Sequence, residues 1–255
     1  MVNVISVANQ KGGVGKTTTT INLAASIADR GYRVLIVDID PQGNATSGLG
    51  IEKSEINQDI YNVLIDEIPL TDTIHHTSTK KLDIAPATIN LSGAETELIS
   101  MMARETRLKS ALDTVSEDYD FIFIDCPPSL NILTVNAMTT ADTVLVPIQC
   151  EYYALEGLSE LIYTIDLVKE RLNDKLEIEG IVFTMYDSRT CLSLQVVENV
   201  KENLHQNIYK TIIPRNIRLA EAPSHGKPIN LYDSKSAGAE GYRSLANEVI
   251  ERGNK

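Results

Sequence analysis

The sequence predicts an α/β fold: a mostly parallel, twisted β-sheet flanked by helices on both faces. Three observations carry the prediction. Short runs of Val, Ile and Leu alternate with longer stretches of helical periodicity along all 255 residues. Several runs, such as "RVLIVDID" and "YDFIFIDCPP", are apolar without alternation, as strands buried on both faces require. The first strand, helix and strand are complete within 40 residues, the pattern of a parallel βαβ unit.

In chain order, "VNVISVA" reads as the first strand and a glycine-rich loop follows it. In "TTTTINLAASIADRG", Ile21, Ala24, Ala25 and Ala28 then fall at helical intervals until Gly31 ends the pattern. The second strand is "RVLIVDID". Further strands are expected at 82–87, 119–128, 142–148, 178–185 and 207–214, and helices around 92–116 and over 131–141, 154–172, 192–204 and 237–252. Residues 51–80 read as short helices ending in the polar "HHTSTKK". No repeat or linker divides the chain, so one domain over residues 1–255 is expected.

Composition narrows the function. Hydrophobic residues make up 43% and aromatics 5%, with no Trp, which suits a sheet packed by aliphatic side chains. Cys126, Cys150 and Cys191 lack paired spacing, so neither a disulfide framework nor a zinc site is indicated and a reducing cytoplasm is expected. His75, His76, His205 and His225 show no ligand spacing either. No apolar run reaches membrane-span length and the N-terminus lacks a signal-peptide pattern. The net charge of -12 argues against a globally basic nucleic-acid binder. The acid is uneven: residues 181–255 carry ten Lys and Arg against eight Asp and Glu, so any basic face belongs to the C-terminal third.

The chemistry begins at "NQKGGVGKTTTT", residues 9–20. Between a strand and a helix, the backbone N–H groups of Gly12, Gly13, Val14 and Gly15 can converge on phosphate oxygens, and the helix dipole favours the anion. Lys16 is the cation for the β- and γ-phosphates, the Thr17 hydroxyl suits Mg²⁺, and Thr18 is placed for the α-phosphate. Asp125, closing "FIFID", is the expected carboxylate for the metal. Asp38 ends "VLIVD" and Asp40 begins the next loop, and strand alternation sends both to one side. One can hold a metal-bound water while Asp40 orients the attacking water. Lys11 has no task in such a loop, because Lys16 already supplies the charge.

The segments "KGGVGKTT", "VDIDPQGN" and "IDCPPS" resemble the deviant Walker A ATPases of the MinD/ParA superfamily, and most closely the ParA/Soj partition proteins. The resemblance continues through "QCEYYALEGL" (149–158) and "IPRNIRLAEAPSHGKPI" (213–229), essentially the whole chain. It implies a P-loop NTPase fold, ATP and Mg²⁺ as ligands, slow hydrolysis, and a homodimer with two ATP molecules sandwiched between its subunits. Lys11 matches the family lysine that reaches the ATP of the opposite subunit, beside which Gly12 must stay small. Pro214 and Asn216 would line the adenine, and the "DCPPS" loop would sense the γ-phosphate.

For partners, the resemblance implies non-specific double-stranded DNA bound by the ATP dimer and a ParB-type centromere-binding protein that stimulates hydrolysis. Arg189 and Arg218 match DNA-contacting positions, with Lys227, Lys235 and Arg243 as further candidates. The expected setting is cytoplasmic and nucleoid-associated, without stable membrane association. The same phosphate loop serves two alternatives. A MinD-type membrane-cycling ATPase would need a basic amphipathic tail, whereas this chain stops at "NEVIERGNK". A metabolic ligase of the dethiobiotin synthetase type would need neither Lys11 in trans nor the arginine surface. Only eight residues precede the phosphate loop, so the helix-turn-helix extension of larger plasmid relatives is not expected.

Overall fold

The computed structural model describes residues 2–151, 154–203 and 206–253. Tyr152, Tyr153 and His205, singled out above, lie outside them, as does the end of the C-terminal tail. Strands are β1 (Asn3–Val7), β2 (Val34–Asp38), β3 (His75–His76), β4 (Leu82–Ala85), β5 (Phe121–Asp125), β6 (Thr143–Gln149), β7 (Glu177–Tyr186) and β8 (Ile208–Pro214). Helices are α1 (Lys16–Ala28), α2 (Asn44–Gly48), α3 (Ile60–Ile65), α4 (Leu91–Glu97), α5 (Arg107–Leu112), α6 (Ile132–Thr140), α7 (Ala154–Arg171), α8 (Cys191–Asn203), α9 (Ile217–Glu221), α10 (Ile229–Tyr232) and α11 (Ala237–Gly253).

The strands form one eight-stranded sheet in the order β3-β4-β2-β5-β1-β6-β7-β8. Among the described residues, only the β3–β4 pairing is antiparallel. Alternation explains how the apolar runs serve two cores at once. In β2, Val34 and Ile36 join one core while Leu35 and Val37 join the other. Phe121 and Phe123 of β5 likewise oppose Ile122 and Ile124. Leu23 and Ile27 of α1 and Tyr242, Leu245 and Val249 of α11 cover the first face; Leu64 of α3, Leu133 of α6, Leu161 of α7 and Val200 of α8 cover the second.

This topology prepares a site. β1 is flanked by β5 and β6, and the chain leaves it through α1 to reach β2 two positions away, so a crevice opens at the carboxyl ends of the central strands. β1 pairs with β6 only as far as Leu145. Pro147 lies beyond that ladder, and its carbonyl accepts a 2.8 Å hydrogen bond from Asn9 at the start of the loop.

Two expectations needed correction. The stretch 92–116 is not one helical run: α4 ends at Glu97, Met101 is extended, and Ala103 sits at φ +53, a left-handed turn that breaks the pattern before α5. His75 and His76, expected to trail short helices, form the edge strand β3, where His76 pairs with Asp83 at 2.7 Å. Among the described residues no helix is long and apolar enough to cross a membrane.

Leu23, with no exposed surface, packs between α1 and the sheet. Leu23→Ala is expected to cost about 2–5 kcal/mol in urea unfolding, and a loss below about 1 kcal/mol would contradict the packing described.

Candidate functional site

The loop after β1 is shaped by glycine where only glycine is comfortable. Gly13 and Gly15 hold φ of +75 and +88, and Gly15 caps α1. Val14 between them is buried, anchoring the loop, and its carbonyl accepts a 2.7 Å bond from the Thr184 hydroxyl at the end of β7. Lys16 is only 6% exposed, and its amine donates to the Lys11 carbonyl at 3.1 Å. Burial lowers its pKa, against the pull of Asp125, Cys126 and Asp40.

Asp125 closes β5 with no exposed surface. Its Oδ2 accepts from the Thr17 hydroxyl and its Oδ1 from the Thr20 hydroxyl, each at 2.8 Å. The threonine and the strand-end carboxylate expected from sequence to serve a metal are thus in direct contact. Asp38 is its register neighbour across the β2–β5 ladder. The Oδ2 of Asp38 accepts from the Thr46 hydroxyl at 2.8 Å and the Thr46 N–H at 2.9 Å, and its Oδ1 from the Asp40 N–H at 3.2 Å. Burial and then the neighbouring Asp125 push the Asp38 carboxyl above the usual carboxylate range, against those hydrogen bonds. Burial likewise raises Asp125 against its two threonine donors. Cys126 is fully buried and its thiol is pushed up well above the ordinary range, which makes it an inert packing residue.

The donor set suits a magnesium triphosphate. Mg²⁺ takes hard oxygen ligands, commonly one or two from protein and the rest from phosphate and water. Thr17 with Asp125 provides such oxygens, and among the described residues no group of three or more His, Cys, Asp or Glu forms a metal cage of its own. Asp38 makes no hydrogen bond to Thr17 and meets the centre through Asp125 and Asp40. Asp40 starts a turn, its Oδ1 accepting from the Gln42 N–H at 2.9 Å.

Thr18 lies with Pro214 and Asn216 around a cavity of about 480 Å³ beside Gly15, also lined by Met185 and Ile217. Asn216 caps α9: its Oδ1 accepts from the Arg218 N–H at 2.8 Å, leaving its NH₂ as the group that can face a base edge. Lys11 stands apart from this assembly. Its Nζ meets Glu151 at 3.0 Å, on side chains 36% and 49% exposed. A Cβ at Gly12 would meet only Pro128, at 3.9 Å. Thr20, Thr46 and Thr184 were not foreseen. Thr20 follows Thr17 by three residues and shares its helix face, a usable signal; Thr46 and Thr184 are brought in by tertiary contacts that leave no local pattern.

The comparisons now have a geometry to meet. Residues 2–178 match the family model described as AAA domain. The sporulation initiation inhibitor protein Soj of Bacillus subtilis (strain 168) is 58% identical over 99% of this chain and 100% of its own. The chromosome partitioning protein ParA of Myxococcus xanthus (strain DK1622) is 54% identical over 98% of this chain and 88% of its own. The chain belongs to the ParA/Soj family. Among solved structures, cobyrinic acid a,c-diamide synthase from Mycobacterium smegmatis with bound ATP analog and magnesium aligns with a TM-score of 0.89 at 36% identity, covering 100% of this chain and 97% of that one.

Outside the phosphate site of this ParA/Soj chain, the two arginines marked for DNA are already paired. Arg189, its side chain 85% exposed, forks onto Asp187 at 2.8 and 2.7 Å and holds that carboxyl far below its ordinary range. Arg218 meets Glu221 at 2.8 Å and Asp233 at 3.5 Å. Lys227 and Lys235 are exposed, and His225 stacks on Tyr232 with centroids 4.9 Å apart.

The raised carboxyls make stability depend on pH. Asp38 and Asp125 bind protons more tightly folded than unfolded, so stability is fullest near the ordinary carboxylate pKa of about 4 and falls as pH rises toward neutrality. Between pH 5 and 8, nucleotide-free protein should lose about 2–4 °C of Tm per kcal/mol, and Asp38→Asn should flatten the slope. An unchanged slope in that variant would show that the buried pair is not its source.

Proposed function

We propose that the chain is a single-domain ATPase acting as a dimeric switch in DNA segregation: ATP joins two copies, the dimer binds DNA without sequence preference, and a ParB-type partner triggers otherwise slow hydrolysis. One observation carries this reading. The phosphate cradle is complete with Lys16 as its buried cation, yet a second lysine, Lys11, waits at the exposed rim with its amine turned to Glu151. A cation beside the cradle but outside it has a use if a second triphosphate comes to face it.

The residues divide the work. Main-chain N–H groups of residues 12–15 and the Lys16 amine bind and orient the triphosphate with Thr18 at its α-phosphate, Pro214 and Asn216 hold the nucleoside end, and Thr17 with Asp125 would hold magnesium. Magnesium supplies charge neutralisation on the β- and γ-oxygens. Asp40 orients the water, and Lys11 from the second copy stabilises charge developing on the phosphoryl oxygens. An orienting carboxylate without a further cation hydrolyses slowly, which leaves room for stimulation by a partner. Identities of 58% to the Soj protein over its whole length and 54% to a chromosome partitioning protein favour this reading over a ligase, even though a solved neighbour, 36% identical, is named as a synthase.

DNA binding would belong to the dimer, because doubling the number of phosphate contacts steepens the salt slope by about 0.9 per contact and multiplies affinity. Arg189 and Arg218 would exchange their carboxylate partners for phosphates, the chain working on the nucleoid in the cytoplasm without stable membrane association.

Sedimentation with ATP, ADP or no nucleotide, with and without DNA, tests the scheme. Asp40→Ala is expected to stay a DNA-bound dimer with ATP, and loss of dimerisation in that variant would remove its assigned role. Gly12→Val should fold normally, since the single chain has room there, and remain monomeric; an ATP dimer of this variant would contradict the close approach at Gly12. Arg189→Ala should weaken DNA binding across sequences and lower the salt slope by about 1. An unchanged slope would exclude it from the interface.

A further inference from the structure

We propose that Glu151 is a positioning residue that parks Lys11 within its own subunit until ATP arrives, so that dimerisation must first open a latch. The inference rests on the trans role given to Lys11 above and adds the state from which that lysine departs. One ion pair is the latch, and two contacts flank it. Lys11 Nζ lies 3.0 Å from the Glu151 carboxylate. Gln10, the residue before it, donates its amide to Glu160 on α7, so both side chains leading into the loop are tied to the same edge of the molecule. The Lys11 carbonyl meanwhile accepts the Lys16 amine at 3.1 Å.

The third contact links the latch to the nucleotide. A phosphate in the cradle offers Lys16 a stronger, charge-assisted acceptor than a neutral carbonyl. When the amine moves to it, the Lys11 carbonyl loses its partner and the segment before the glycines loses a restraint. The Lys11 N–H stays on the Asn9 side chain at 2.9 Å, but the Lys11 amine is then held by one exposed ion pair, which is easily exchanged for a triphosphate presented by another copy. Gln10, Lys11, Pro128, Ser129, Leu130, Gly157 and Glu160 line a cleft of about 520 Å³, so the latch borders the "DCPPS" loop as well.

The expected size follows from the exposure of the pair. An exposed ion pair biases an equilibrium by roughly 1.4-fold to fivefold, and a dimer must open two, so the dimer dissociation constant carries a penalty of about twofold to thirtyfold. Such a pair is screened by salt.

The test is sedimentation equilibrium with saturating ATP on wild type, Glu151→Gln and Glu160→Gln, at low and high salt. Glu160→Gln removes the same charge nearby without touching the Lys11 side chain, keeps an amide oxygen that can accept from Gln10, and controls for the lower repulsion between acidic chains. Glu151→Gln is expected to tighten the dimer about fivefold over wild type at low salt, with the gap closing at high salt and Glu160→Gln within about twofold of wild type. A Glu151→Gln dimer no tighter than wild type, or an equal gain in Glu160→Gln, would overturn the latch and leave the ATP dimer standing. Absence of any wild-type ATP dimer would overturn both.

Discussion

Two carboxylates and one lysine are buried together where the central strands end, and that concentration of charge sets the terms for everything around it. Asp38 and Asp125 are register neighbours without exposed surface, and Lys16 reaches the same region while 6% exposed. Charge removed from water is costly unless it is paired and hydrogen-bonded. The chain meets this with threonine: Thr17 and Thr20 take the two oxygens of Asp125, and Thr46 holds Asp38. Even so both carboxyls remain raised and the lysine lowered. A magnesium triphosphate bound there would supply charges of both signs.

The sheet makes this arrangement possible. Strands apolar on both faces need helices on both sides, which in β2 and β5 leaves the carboxylates at the strand ends, and the change of strand order around β1 opens a crevice there. The Thr17 and Thr20 hydroxyls share one face of α1 because three residues separate them, while α1 also packs Leu23 and Ile27 into the core. Core packing and phosphate recognition therefore constrain the same helix. Lys11 lies just outside that frame, its side chain 36% exposed and its amine on Glu151.

Much of this was legible in the sequence. Continuous apolar runs located the parallel strands, because burial on both faces removes alternation, and the glycine spacing located the loop, because positive φ at Gly13 and Gly15 admits little else. Asp125 was legible from its position at the end of such a run. What stayed hidden depends on contacts between distant segments. Thr46 and Thr184 look like ordinary polar residues until the fold brings them to Asp38 and Val14. The break at Ala103 and the edge strand at His75–His76 lie where periodicity is weak and a local turn decides the outcome. The pairing of Arg189 with Asp187 was readable two residues away, yet the arginine alone drew notice.

The central claim is that Lys11 acts on the nucleotide of the other copy while Asp40 acts on its own. Lys11→Ala and Asp40→Ala subunits, mixed without nucleotide and then given ATP, separate the two possibilities. In a mixed pair, the site on the Lys11→Ala subunit keeps its own Asp40 and receives Lys11 from its neighbour, so the mixture should regain roughly a quarter of wild-type turnover although each variant alone is inactive. If Lys11 instead served its own subunit, both sites of the mixed pair would be defective, and a mixture as inactive as its components would contradict the account.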